Sequence, residues 1–108
     1  MSEYTSKSFN DILLSRTRLN ILSSLIAGSE LEFVYLRDTL GLSDGNLSVQ
    51  IKKLEEAGYI KVKKVFVERK PKTFCRITAK GRAAIENLAA FLGQITQNQN
   101  NLKKGQEK

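Results

Sequence analysis

The sequence predicts a mainly helical α+β fold in which several helices surround one small, basic β-hairpin. Three observations carry that prediction. Apolar residues recur at helical spacing along residues 15–27, 43–57 and 78–95, the spacing changes to that of strands between residues 60 and 77, and glycines stand where the helical runs stop. A length of 108 residues suits one domain with a modest core, so residues 1–108 are read as a single unit.

Taken in order, Phe9, Ile12 and Leu13 suggest a short helical lead-in over residues 8–14. In residues 15–27, Leu19, Leu22, Leu25 and Ile26 fall on one side of a helix, and Gly28 follows where a left-handed terminal residue is common. Leu31 and Phe33 alternate with Glu30 and Glu32 as in a very short strand. A second helix is expected over residues 34–40. Gly41 ends it, and Ser43 is a favourable N-cap for the next, so two helices meet across a tight turn.

In that next helix Leu47, Ile51 and Leu54 form the core stripe, while Asn46, Ser48, Val49, Gln50, Lys52 and Lys53 occupy the other sides until Gly58. Ile60, Val62, Val65, Phe66 and Val67 then read as a strand. Residues 68–72, which hold Pro71, read as a charged tip, and residues 73–77 as the returning strand. Thr78 caps a last helix to about residue 95. From about residue 97 the chain turns to Gln, Asn and Lys and is expected to fray into a polar tail.

The residue inventory excludes much chemistry. The absence of histidine removes the usual zinc ligand and acid/base catalyst, and a lone cysteine, Cys75, permits neither an intrachain disulfide nor a thiolate cluster. No catalytic set is present, so neither an enzyme nor a metal or cofactor is expected. With no apolar run of membrane-spanning length and no secretory leader pattern, a cytoplasmic protein is expected. Charge supplies the positive signal. Lys61, Lys63, Lys64, Arg69, Lys70, Lys72, Arg76, Lys80 and Arg82 face only Glu68 within residues 60–82, so this segment accounts for all of the net +7 and the remainder is close to neutral. Such a localised basic stretch calls for a polyanion.

The order helix, strand, helix, turn, helix, basic hairpin, helix suits double-stranded DNA. The major groove admits one helix that presents short polar side chains, and a neighbouring hairpin reaches flanking phosphates or the minor groove. The residues that fill this order are Arg18-Leu19-Asn20-Ile21-Leu22, residues 36–42, Leu42-Ser43-Asp44-Gly45-Asn46-Leu47-Ser48, Lys53-Leu54-Glu55-Glu56-Ala57-Gly58-Tyr59-Ile60 and Arg76-Ile77-Thr78-Ala79-Lys80-Gly81-Arg82. In this combination the chain resembles the winged helix-turn-helix transcription regulators related to the MarR-like and ArsR-like families, over roughly two-thirds of its length.

The resemblance implies a recognition helix over residues 43–57, a wing over residues 60–77, and a homodimer on a pseudo-palindromic site. On the recognition helix Gly45, Asn46, Ser48, Val49 and Gln50 are the candidates for base readout, with Ser43 a further DNA-binding candidate at the cap and Lys52 and Lys53 on phosphates. On the wing Lys63, Lys64, Arg69, Lys70 and Lys72 are the candidates. The stripe Ile85, Leu88, Leu92 and Ile95 is the candidate dimer interface in a C-terminal dimerisation helix. ArsR-like metal sensing would need cysteine and histidine clusters that this sequence lacks, and a small-molecule effector stays open. Winged helices also serve as docking modules of larger assemblies. That alternative is disfavoured by the concentration of charge on the wing. Cys75 is read as a small packing residue of its strand.

Overall fold

The computed structural model describes residues 12–106, with side chains through residue 97. Of the expected lead-in helix, the part before Ile12 lies outside these residues, and residues 12–14 form a turn rather than a helix. Leu13 nevertheless anchors the segment, being buried in the core. Helix α1 (Arg16–Gly28) begins at Ser15, whose hydroxyl accepts the Arg18 amide at 3.2 Å. Strand β1 (Glu30–Glu32) is one residue shorter than the alternation suggested, because Phe33 already opens helix α2 (Phe33–Leu40) and packs against the core from its first turn.

Gly41 ends α2 at φ +67°, a conformation costly to any residue with a Cβ. Its amide meets the carbonyl of Asp38 at 3.3 Å, and the Leu42 amide reaches back to Arg37 at 2.9 Å, the paired bonds of a Schellman motif. Only three residues therefore separate α2 from helix α3 (Asp44–Glu56). A second motif of the same kind ends it, with Gly58 bonded to Glu55 at 2.9 Å and Tyr59 to Leu54 at 3.0 Å.

Strands β2 (Ile60–Val67) and β3 (Lys70–Ile77) form the hairpin, and β3 lies between β1 and β2 in an antiparallel sheet. The expected tip over residues 68–72 is shorter in fact. Glu68 and Arg69, at φ +53° and +67°, make a two-residue turn, and Pro71 and Lys72 belong to β3. Positive φ at both central residues gives the turn the twist that a tight hairpin needs. Pro71 is tolerated opposite Phe66 because β1 pairs only with Phe74, Cys75 and Arg76, leaving the proline on a free edge.

Helix α4 (Ala79–Gln106) extends past residue 95, where the sequence suggested an end. Gln and Lys sustain a helix, and no proline interrupts residues 79–106. At its start Thr78 Oγ1 accepts the Gly81 amide at 3.0 Å and donates to the carbonyl of Gly58 at 2.7 Å, tying α4 to the end of α3.

Leu22, Leu25, Leu36, Leu47, Leu54, Ile60 and Cys75 are among the fully enclosed side chains, and with Leu31 of β1 packed against them and Leu88 of α4 buried among them every element contributes to one core. Each such leucine contributes about 1.5–3 kcal/mol by leaving water. The stripe on α4 is divided. Leu88 belongs to this core and Ile85 packs against it, whereas Leu92 and Ile95 are 53% and 49% exposed. The first half of the proposed dimer seam is thus covered by the chain itself, because Ala84, Ile85, Leu88 and Phe91 lie in or against the core and the helix leaves it only later.

Candidate nucleic-acid interface

With Leu47, Ile51 and Leu54 turned into the core, the 100° step of an α-helix sorts the remaining α3 residues into columns. Ser48 and Lys52 run along one flank, Gly45 and Val49 along the front, and Asn46, Gln50 and Lys53 along the other flank. All but Gln50, which is half-buried, are exposed. Ser43 caps the helix, accepting the Asn46 amide at 3.0 Å, so its hydroxyl serves the backbone first. A Cβ on Gly45 would meet nothing within 4 Å, which leaves the front of the first turn open to close approach.

The first flank faces the wing. Ser48 and Lys52 share an open cleft of about 470 Å³ with Lys64 and Thr73, so three of the residues proposed from sequence are brought together. Strand alternation explains the selection. Ile60, Val62, Lys64 and Phe66 point to the side of the sheet that carries the core, and Lys61, Lys63, Val65 and Val67 to the other.

Lys63 lies 3.5 Å from Glu30 and Lys72 lies 3.9 Å from Glu32. Such exposed pairs contribute at most about 1 kcal/mol to stability, yet they offset the positive charge of the outer face. Lys63 and Lys72 therefore stand apart from Lys64, while Arg69 and Lys70 are exposed at the tip. Phe66, 79% exposed on the Lys64 side, lies beside the candidate site residues of the wing. Its place opposite Pro71 at a hairpin tip is visible only once the register is known.

The second flank of α3 faces α1. Arg18 donates from one terminal nitrogen to Gln50 Oε1 at 2.6 Å and from Nε to the Ile12 carbonyl at 2.6 Å. Gln50 in turn donates from Nε2 to Asn46 Oδ1 at 3.1 Å. Two of the proposed base readers are thus bonded to each other and to a scaffold arginine outside the candidate site residues.

The turn between α2 and α3 has its own clasp. Arg37 reaches Asp38 at 2.9 Å and Asp44 at 2.8 Å, and these hydrogen bonds, Asp38 first, hold the guanidinium firmly charged. Cys75 is fully buried in β3, and burial, with a smaller push from the Glu55 carboxylate, moves its thiol up to about 11, so it stays protonated and unreactive at neutral pH.

Known proteins share this fold. The model of the winged helix DNA-binding domain matches residues 17–96. An uncharacterized protein of Methanocaldococcus jannaschii is 39% identical over 92 residues, which span 85% of this chain and 96% of that protein. A transcriptional regulator homologue from Pyrococcus horikoshii superposes with a TM-score of 0.76 at 31% identity, covering 90% of this chain and 97% of its own. A MarR variant from E. coli, solved in complex with operator DNA, shares the fold at a TM-score of 0.64 and 19% identity, covering 79% of this chain and 60% of its own. The chain belongs to the winged-helix DNA-binding family of transcription regulators.

Proposed function

We propose that the chain binds double-stranded DNA sequence-specifically as a cytoplasmic homodimer, with α3 in the major groove and the wing along the flanking backbone or minor groove. The observation that carries this reading is the shared face of α3 and the wing, where Ser48, Lys52 and Lys64 border one cleft. Exposed Arg69 and Lys70 extend it outward. Gly45, Asn46, Val49 and Gln50 supply the readout, and Lys52, Lys53 and Lys64 hold phosphates. The exposed pair Leu92 and Ile95 provides the apolar surface for a second copy. Among the described residues no helix is long and apolar enough to cross a membrane.

Selection of bound DNA from a random pool tests the reading. A two-fold symmetric motif is expected, with half-sites centred about one helical turn apart, roughly 34–36 Å. Recovery of unenriched DNA would overturn sequence specificity. A single asymmetric half-site would overturn the dimer.

A further inference from the structure

The bonds between Arg18, Gln50 and Asn46 have a direction, and the arginine sets it. A guanidinium carries donors only, so the group it meets must be an acceptor. Gln50 therefore turns Oε1 toward Arg18, the contact at 2.6 Å, and its Nε2 can only face the other way. There it meets Asn46, which must in turn offer Oδ1, at 3.1 Å. What is left at the far end of the chain is the Asn46 amide nitrogen, a donor. Arg18 is itself held by the Ile12 carbonyl at 2.6 Å, so the polarity starts in the scaffold rather than on the exposed helix face.

We infer that Arg18 is a specificity-positioning residue, orienting the Gln50 and Asn46 amides so that Asn46 presents a hydrogen-bond donor to an acceptor on a base edge. This deepens the DNA-binding reading above and rests on it. An exposed asparagine in isolation exchanges its oxygen and nitrogen by a half-turn at little cost and greets donors and acceptors alike. Here the half-turn would set the Asn46 nitrogen against the Gln50 nitrogen, and a compensating turn of Gln50 would set its nitrogen against the guanidinium. The rejection of the wrong base edge is thus built into the free protein.

The test uses the site that the wild type selects and the same site changed at the one base pair whose preference Asn46→Ala relaxes. Wild type should discriminate between the two by roughly 5- to 100-fold. Arg18→Met, which keeps an unbranched stem without donors, should bring that ratio near one while preferences at the other pairs persist. Arg18→Lys, again a pure donor, should keep most of it. Asn46→Asp, which retains the inward acceptor and removes the outward donor, should lose it. Undiminished discrimination in Arg18→Met overturns the inference. Should that variant fail to fold, Gln50→Glu decides, since it still accepts from Arg18 but offers Asn46 no donor. Undiminished discrimination there is equally fatal. In the protein without DNA, Arg18→Met should shift the side-chain amide resonances of both Gln50 and Asn46. Unchanged resonances overturn the relay whatever the DNA results, whereas shifted resonances with no selected motif would locate the failure in the functional reading.

Discussion

Gly81, in the first turn of α4, sits against the backbone of Tyr59 so closely that a Cβ would overlap the Tyr59 carbonyl oxygen and approach Ile77 to 2.9 Å. That carbonyl also accepts the Thr78 amide at 2.9 Å, so it cannot retreat without breaking the junction between α4 and β2. Gly81→Ala should cost about 1–3 kcal/mol, as overpacking of a rigid site does, and lower the melting temperature by about 5–20 °C. Calorimetry checks it, and an unchanged midpoint would mean that the helix start is free to shift.

The wing cations should differ in their effect on DNA. Replacing Arg69 and Lys70 with alanine should weaken binding to all sequences and flatten the slope of log K against log salt by about one to two units. Lys63 and Lys72, engaged by Glu30 and Glu32, should change it by less. Fluorescence anisotropy titrations at several salt concentrations separate the two pairs, and equal slopes in both double variants would show that the outer face contributes as much as the tip.

Cys75 gives the fold an alkaline weakness. In the unfolded chain its thiol ionises near the ordinary value of 9.0, but in the fold it holds its proton to about 11. Because the folded value is the higher one, the contribution of this group is complete below about pH 8.5 and is lost as pH rises through 11. The stability advantage of wild type over Cys75→Ala should therefore shrink between about pH 8.5 and 11. Urea midpoints across that range are the measure, and a constant gap would contradict the assigned shift.

Lysines at Leu92 and Ile95 test the proposed dimer without touching the core, since both side chains are half-exposed in a single chain. Sedimentation at micromolar concentration should give twice 12.1 kDa for wild type and 12.1 kDa for the double variant, with the thermal midpoint of the monomer retained. A wild-type monomer ends the proposal. An unaltered dimer moves the interface elsewhere.

Much of this molecule is legible in sequence because its punctuation is local. Gly41, Ser43 and Gly58 each act within five residues, and the paired bonds at both ends of α3 follow from them. Pro71 misled because proline suggests a turn, whereas a strand whose neighbour stops short tolerates it. The α4 stripe is legible only in part, since periodicity finds an apolar face but not the point at which the helix leaves the core. Least legible was Arg18, which acts on Gln50 across 32 positions. No spacing rule connects them, and only the crossing of α1 and α3 does.

Strand β1 supports β3 at only three positions, so the hairpin is a three-stranded sheet at its base and a two-stranded ribbon from Thr73 outward. A ribbon of two strands in water is marginally stable by itself. Backbone amides should therefore exchange with solvent in a gradient along the wing, slowest beside Cys75 and fastest beside Arg69. The shape of the outer half is borrowed from whatever it rests on, and the wing behaves as a cantilever, stiff where it is rooted and compliant at its free end.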